Sequence, residues 1–377
     1  MRSHPLGYLI LVALLAGLAL SACVAPAPAA PQAPAQPAEQ PAQPEVQPAS
    51  EIVFYNWSDY IDPEIYDLFA AETGITVVED NYSSNEELLA KLQGGATGYA
   101  LIVPSDYTAS IMIEEGMLAE LNHDNIPNLS NLADQFRNLP YDPGNKYCAT
   151  YLWGTTGLGY NTEQLDTPPD SWAVFFDPDP NAPWYGRMTL LDDVREVFSA
   201  ALIYLGYDNN TKHEAQLEEA KQLLIKAKAA ISGFDSDLFE ELVGSGENLI
   251  GHGWNGDYLQ AQEEFGTIGY VIPKEGGTAW IDNICIPATA TPEQKLAGEM
   301  FINFLLRPEI GAKLAEYTFY ATPNQAAREH VSEEYLNNPI INPPADVMER
   351  LHYIEPLGEF EAVYQRLWDE VKSAPTP

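Results

Sequence analysis

Short apolar runs alternate with amphipathic stretches along the first half of the folded chain, and this alternation predicts its elements. The predicted strands lie at 51–55, 76–79 and 100–103, and the predicted helices at 64–73, 84–93 and 109–116. Strands that alternate with helices form a mostly parallel sheet with helices on both faces. Because ligands bind such sheets beyond the carboxyl ends of the strands, we expect a site near residues 54–60 and 104–107.

The second half of the chain repeats the alternation and then returns to helices. Helices are predicted at 193–205, 213–229, 291–306, 308–317 and 358–371, and strands at 248–251 and in a hairpin over 270–287 that turns at Gly276 and Gly277. The expected fold class is therefore α/β with two lobes, each a mixed, mostly parallel sheet flanked by helices, and a ligand cleft between them. We expect one lobe to comprise 51–156 and 281–318, and the other 157–280 and 319–377.

The N-terminus has the pattern of a secretory signal peptide. Arg2 precedes an apolar run from Tyr8 to Leu20, which is too short for a typical membrane span. The end of the run, Leu20-Ser21-Ala22-Cys23, resembles the bacterial lipobox, which implies a signal peptide over 1–22 and lipidation of Cys23; an ordinary signal with an incidental cysteine is the alternative. We therefore expect the protein to be lipid-anchored at the outer face of the cell membrane, in the periplasm if a second membrane exists.

Residues 23–50 have the composition of a tether. They are nearly all Ala, Pro and Gln and hold eight of the 30 prolines of the chain. Such a stretch cannot bury enough apolar surface to fold and samples extended polyproline conformations.

The charge of the chain restricts its partners. Fifty-five Asp and Glu against 18 Lys and Arg give a formal net charge of -37, which excludes binding to nucleic acid backbones, because that binding needs cationic side chains. The sign favours a cationic partner, although acidity also serves solubility.

The cysteines and histidines do not form a metal or redox motif. Cys148 and Cys285 are the cysteines beyond Cys23, and they are compatible with either a disulfide or two free thiols. Since HExxH, CxxC and GxxxxGK[ST] are absent, we expect no metal and no cofactor.

Tryptophan and aspartate recur together three times next to apolar runs. The pairs are Trp57 with Asp59, Trp254 with Asp257, and Trp280 with Asp282; in the last pair the two side chains share one strand face, opposite Ile281. Each pair alone has an ordinary explanation, because Trp is often in the core and Asp often caps a helix. The repetition favours a binding function.

A further pair of carboxylates lies at 190–198. If Asp193 begins a helix, Glu196 lies near the same face, so both can point toward one place. The alternative is a capping role for Asp193 that needs no ligand. We expect Arg195 between them to pair on the surface.

Physical chemistry indicates what such a set of residues would hold. Ring faces attract cations, and carboxylates accept charge-assisted hydrogen bonds from ammonium groups. Aromatic walls with anionic ends suit an elongated alkyl polyamine, whereas sugar sites usually need both donors and acceptors. The sequence therefore predicts a polyamine site.

Seven segments, in this order, resemble the spermidine/putrescine-binding proteins of polyamine ABC importers: FYNWSDY, YALIVPSDY, LLDDVREVF, WNGDY, PKEGGTAWIDN, FINFLLRPEI and FYATPNQAA. The resemblance covers about residues 51–370 and implies a two-lobed fold that closes on its ligand by hinge motion. Carried over position by position, it implies a ligand site made of Trp57, Ser58, Asp59, Tyr60, Ser105, Tyr107, Asp193, Glu196, Trp254, Asp257, Trp280, Asp282, Tyr320 and Glu355.

The resemblance also implies the partners. It predicts a monomer that is not an enzyme and that delivers its ligand to an ABC permease in the membrane. Ala100 departs from the usual Asp of the family. Asp59 and Asp257 resemble putrescine binders, whereas Asp193, Glu196 and Trp280 resemble spermidine binders, so the choice between the two ligands stays open.

Two alternative functions are compatible with the sequence. One is a binding protein for another cationic solute, either iron, through Tyr317 and Tyr320, or thiamine. The other is a secreted glycosidase that uses Asp193 with Glu196, or Asp257 with Asp282, as acid and base.

Overall fold

A computed structural model describes residues 46–377 of the chain. The predicted signal peptide 1–22, Cys23 and most of the tether 23–50 lie outside these described residues. No helix within 46–377 has the length and hydropathy needed to cross a bilayer.

Ten of the strands in the described part of the chain form one sheet. Its hydrogen-bonded order is β2-β1-β3-β11-β6-β9-β7-β8, with β10 added on β6 and β12 on β11, while β4 and β5 pair separately. The strands are β1 (Glu51–Trp57), β2 (Thr76–Tyr82), β3 (Tyr99–Ile102), β4 (Asn138–Leu139), β5 (Asp142–Pro143), β6 (Cys148–Asn161), β7 (Met188–Leu190), β8 (Gly233–Phe234), β9 (Ile250–Trp254), β10 (Ile268–Val271), β11 (Gly277–Cys285) and β12 (Leu351–Tyr353).

Helices cover the sheet and connect its strands. They are α1 (Pro63–Thr73), α2 (Asn85–Gln93), α3 (Asp106–Glu114), α4 (Asp134–Arg137), α5 (Ala173–Phe176), α6 (Val194–Leu205), α7 (Glu214–Ala227), α8 (Phe239–Gly244), α9 (Asn255–Phe265), α10 (Pro292–Leu305), α11 (Pro308–Thr318), α12 (Glu333–Asn337), α13 (Ala345–Met348) and α14 (Glu361–Ser373). Short 3-10 helices lie at His123–Asn125, Pro127–Asn131, Ala327–Glu329 and Gly358–Phe360.

Two large hydrophobic cores lie on either side of the middle of the sheet. The first surrounds Phe54, Phe69 and Phe301, and the second surrounds Phe198 and Trp368. We call the elements around them the first and the second lobe. Strands β1 to β3 of the first lobe are parallel, as are β7 to β9 of the second, and the antiparallel pair β6 and β11 joins them. The two-lobed α/β class predicted from the sequence is confirmed, whereas the residue boundaries of the lobes stay predictions.

The elements predicted in the first half agree with the structure to within three residues, and the largest differences are at the end of β2 and at the start of α3. This helix begins at Asp106, three residues before the predicted start. Ser105 occupies the N-cap position, but its hydroxyl donates to Asp282 instead of capping the helix. An Asp in the first turn suits the positive end of the helix dipole.

The predicted hairpin over 270–287 is wrong. β10 and β11 do not pair with each other; both pair with β6, where Tyr270 lies opposite Gly159 and Thr278 lies opposite Thr156. The sequence pattern did not predict β6 as a single long strand, because the glycines within it weaken the pattern that is typical of a strand. Its glycines leave room for rings: a Cβ at Gly159 would lie 2.1 Å from Tyr258.

Cys148 and Cys285 form a disulfide, which resolves the question that the sequence left open. The two residues lie directly opposite each other on β6 and β11, and both are buried. The bond therefore joins the two shared strands at their first-lobe ends.

Candidate functional site

A cleft of about 560 Å³ lies between the lobes. All of the site residues predicted from the sequence line it except Glu355, which is exposed and lines a different cavity. The structure therefore brings together Trp57, Ser58, Asp59, Tyr60, Ser105, Tyr107, Asp193, Glu196, Trp254, Asp257, Trp280, Asp282 and Tyr320.

Aromatic rings from both lobes form the walls of the cleft. Trp57 at the end of β1 and Trp254 at the end of β9 meet edge to face across it, with ring centroids 5.7 Å apart. Tyr320 contacts both Trp280 and Tyr60 edge to face, with ring-centroid distances of 5.1 and 5.2 Å. Rings in these positions offer faces that can cover methylene groups or attract a cation.

Asp282 is a buried carboxylate held by hydroxyl groups of the first lobe. It lies at a bulge of the β6–β11 ladder, where two residues of β6, Tyr151 and Leu152, are opposite the single residue Asp282 of β11. Such a bulge redirects a side chain. Tyr60 and Ser105 each donate a hydroxyl to it at 2.7 Å. Burial raises the pKa of Asp282 to about 7, although both hydrogen bonds act in the opposite direction.

Asp193 and Glu196 combine the two roles that the sequence presented as alternatives. Asp193 caps α6, since its Oδ1 accepts the backbone N–H of Glu196 at 3.0 Å. Both side chains also line the cleft. Thr156 and Thr278 donate their hydroxyls to the two oxygens of Glu196 at 2.8 and 2.6 Å. Burial, and then the charge of Asp193, raises the pKa of Glu196 to about 7.

A third group of carboxylates includes one that the sequence did not indicate. Asp257 accepts the hydroxyl of Tyr320 at 2.9 Å, and burial raises the pKa of Asp257 to about 7, with Asp59 of the other lobe adding to the shift. Glu240, on the short helix α8, is the missed residue. Its Oε2 is buried without a hydrogen-bond partner among the described residues. Burial, and then the charge of Asp257, raises the pKa of Glu240 to about 9.

The charged residues that line the cleft are all acidic. Among its residues in the described part of the chain there is no Lys, Arg or His. Its acidic residues are Asp59, Asp193, Glu196, Asp237, Glu240, Glu241, Asp257, Glu264, Asp282 and Glu316. Within 46–377, no group of three or more His, Cys, Asp or Glu is arranged to hold a metal ion. The arrangement can bind a cation through several carboxylates and cover its apolar parts with rings.

Arg195 is not on the surface, and that expectation is wrong. Its side chain is fully buried behind the cleft, where Nη1 donates to both oxygens of Glu361 at 3.0 and 3.1 Å. Nη2 donates to Asn210 and to the carbonyl of Glu355, each at 3.0 Å. The guanidinium also lies over the ring of Tyr107, 5.3 Å from its centroid, so it contacts the first lobe from the second.

Comparison with known proteins shows the family. The model of the bacterial extracellular solute-binding protein family matches residues 64–343. The spermidine/putrescine-binding periplasmic protein of Escherichia coli is 36% identical over 324 residues, which cover 85% of this chain and 91% of that protein. The chain belongs to the bacterial extracellular solute-binding proteins.

Solved structures agree with this assignment. A structure from Listeria monocytogenes superposes with a TM-score of 0.81 at 34% identity, over 86% of this solute-binding protein and 99% of that chain. The Tp0655 lipoprotein of Treponema pallidum superposes with a TM-score of 0.72 at 28% identity, over 85% of this chain and 99% of that one.

Replacing Arg195 by methionine should destabilise the solute-binding protein by about 2 kcal/mol. The change leaves Glu361 and the carbonyl of Glu355 without their buried donor. Breaking a buried ion pair costs about 3–5 kcal/mol. The expected loss of stability is smaller because 28% of the Glu361 side chain is exposed. Urea unfolding measures the loss. Arg366→Met is the matched control, since it removes an exposed pair with Glu370 and should change little. Equal unfolding curves for both variants would contradict the buried role of Arg195.

The stability of the ligand-free solute-binding protein should fall as the pH rises from 5 to 7. Asp257, Asp282 and Glu196 have folded-state pKa values of about 7, against about 4 in an unfolded chain. Between these values the folded protein binds more protons than the unfolded one, so its stability decreases with pH. Glu240, whose pKa is about 9, continues the loss above pH 7. Thermal unfolding midpoints at pH 5, 7 and 8 measure the effect.

The control for this prediction is the triple variant Glu196→Gln, Asp257→Asn, Asp282→Asn. It keeps the general self-repulsion of an acidic chain but lacks the three buried carboxylates, so its unfolding midpoint should depend less on pH. The same pH dependence in parent and variant would show that these groups titrate normally.

Proposed function

We propose that this protein captures a polyamine, putrescine or spermidine, in the cleft and delivers it unchanged to an ABC permease. The observation that carries the proposal is a cleft lined by aromatic rings and carboxylates and, within the described residues, by no basic side chain. The name of the Escherichia coli relative, a spermidine/putrescine-binding protein, supports it. The two lobes would have the boundaries predicted from the sequence, 51–156 with 281–318 and 157–280 with 319–377.

The buried carboxylates explain why a cationic ligand would stabilise the closed cleft. Several ionised groups near one another and away from water are costly unless a cation meets them. Carboxylates of both lobes take part, because the charge of Asp59, just after β1, adds to the raised pKa values of Asp257 and Glu240 of the second lobe. A polycation between them lowers the free energy of the closed state more than that of an open, hydrated one, so the ligand should favour closure.

The predicted anchor fits delivery to a membrane permease. The protein would be monomeric and held by lipidated Cys23 outside the cytoplasm, and the tether after it could reach roughly 80 Å at about 3.1 Å per residue. The Treponema pallidum structure is that of a lipoprotein, which supports this location. Cys23→Ser should move the protein from the membrane fraction to the soluble one; unchanged fractionation would refute the anchor.

Calorimetry with a small panel of solutes tests the ligand class. Putrescine or spermidine should bind with micromolar or better affinity, while 1,4-butanediol, which matches putrescine in length but lacks charge, should bind at least a hundredfold more weakly. Ferric citrate and thiamine test the alternative solutes. Binding of either one without binding of the amines would overturn the proposal.

Native mass spectrometry tests delivery without chemical change. The mass of any retained molecule should match an intact amine. Release of products from glycoside substrates by the purified protein would instead support an enzyme.

A further inference from the structure

A second cavity, of about 810 Å³, lies behind the shared strands β6 and β11, on the face of the sheet opposite the cleft. Trp280 and Asp282 of β11 line the cleft, whereas Ile281 between them lines the second cavity, because successive strand residues point to opposite faces. Trp153 of β6 lines it as well. We call this cavity the rear groove.

The rear groove has apolar walls and a purely acidic set of charges. Its rings belong to Tyr107, Phe136, Tyr141, Trp153 and Tyr353, and Leu139, Ile113 and Met348 extend the apolar surface. The charged residues that line it in the described chain are Asp106, Glu114 and Glu355, with no Lys, Arg or His among them. Charge complementarity therefore points to a cation with an apolar body.

Asp106 is the buried carboxylate of the rear groove. It is 7% exposed, and its Oδ1 accepts the backbone N–H of Tyr107 at 2.9 Å. No side chain within residues 46–377 donates a hydrogen bond to it. A buried carboxylate with an oxygen left over beside an apolar cavity is suited to accept hydrogen bonds from one ammonium group. Glu114 and Glu355 are exposed, so they lie at the rim and not in the depth of the groove.

Both lobes contribute to the walls of the rear groove. Helix α3 and the segment 135–141 belong to the first lobe. The opposite wall, residues 348–356, is bound to the second lobe: Arg195 donates to the carbonyl of Glu355, and Asn210 donates to that of Tyr353 at 2.9 Å. Any change in the angle between the lobes therefore changes the shape of the groove.

The rear groove and the cleft share part of their walls. Tyr107 and Ile354 line both cavities. The ring of Tyr107 is held beneath Arg195, and its hydroxyl donates to Glu86 at 3.0 Å. An occupant of either cavity touches this shared wall.

We propose that the rear groove binds a second amine, one with a ring-bearing apolar body and a single ammonium group, and that its occupancy changes the affinity of the cleft. The ammonium pairs with Asp106, and the rings of the groove pack on the apolar body. The volume lies within the range of small-molecule sites. A ligand held by both lobes binds the open and closed forms differently, and linkage makes its effect on the cleft reciprocal.

Tryptamine is the test ligand, because it carries one indole and one ethylammonium group. Calorimetry on the mature protein saturated with spermidine should show saturable binding of one tryptamine, and N-acetyltryptamine, which lacks the charge, should bind at least tenfold more weakly. Saturating tryptamine should change the Kd of spermidine threefold or more. Should spermidine fail to bind, the proposed function fails, and tryptamine binding to the ligand-free protein still decides the existence of the rear site.

Two variants locate the tryptamine. Asp106→Asn should weaken tryptamine binding tenfold or more, and Ser110→Phe, which fills the groove from α3, should abolish it; both should keep the spermidine Kd within about threefold. Circular dichroism checks that both variants fold. If Asp106→Asn does not fold, the result for Ser110→Phe alone tests the proposal. Three results would each overturn the proposal: no saturable tryptamine binding, tryptamine binding by both variants equal to that of the parent, or strictly competitive displacement of tryptamine by spermidine.

Discussion

Replacing Asp282 by asparagine should weaken spermidine or putrescine binding at least a hundredfold, which corresponds to about 2.7 kcal/mol. Asp282 is 4% exposed, lies at a bulge that turns it into the cleft, and is already oriented by the hydroxyls of Tyr60 and Ser105. An asparagine keeps the shape but removes the charge that meets the ammonium group. Losing one partner of a buried, hydrogen-bonded charge pair costs about 2–5 kcal/mol.

Isothermal titration calorimetry of parent and variant measures this loss. Asp166→Asn is the matched control, because it makes the same change in net charge at an exposed position outside the cleft, and it should bind like the parent. The ligand-free Asp282→Asn variant should be at least as stable as the parent, since it no longer buries a carboxylate. A Kd within threefold of the parent value would remove Asp282 from the ligand site.

Removing the disulfide should lower the free energy of unfolding by about 3 kcal/mol. Cys148 and Cys285 are 137 residues apart in sequence, so their bond excludes many extended conformations of the unfolded chain. The loop-entropy estimate for such a closure is about 5 kcal/mol, and measured values are typically about 2–4 kcal/mol. Because both residues are buried and opposite each other, Cys148→Ala/Cys285→Ala keeps the strands in register and isolates this effect.

Urea unfolding of the parent and the double variant, each with and without dithiothreitol, measures the contribution. The reductant should destabilise the parent toward the variant and leave the variant unchanged. If the free energy of unfolding of the double variant is within about 1 kcal/mol of that of the oxidised parent, the disulfide does not contribute the predicted stability.

The sequence predicted those parts of the site that depend on local pattern. Trp280 and Asp282 share a strand face by simple alternation, and Asp193 begins a helix with Glu196 in its first turn, so their direction follows from neighbouring residues. Strand ends in the first lobe likewise placed Trp57 and Ser105 at one edge of the sheet. Their roles in ligand binding stay predictions.

Other features depended on contacts that are distant in sequence. Arg195 is buried because Glu361, 166 residues later, meets it, and no local pattern contains that information. Glu240 reaches the cleft because α8 packs Phe239 against Trp254, and a helix of six residues gives almost no periodic signal. The 270–287 hairpin was expected because nearby strands usually pair, whereas the long strand β6 accepts both β10 and β11.

The contact between Trp57 and Trp254 gives the molecule an internal optical probe. One indole belongs to each lobe, and the rings touch in the present conformation. Any swing of the lobes alters the polarity around both chromophores, so the wavelength of intrinsic emission would follow opening and closing in real time, with no dye attached.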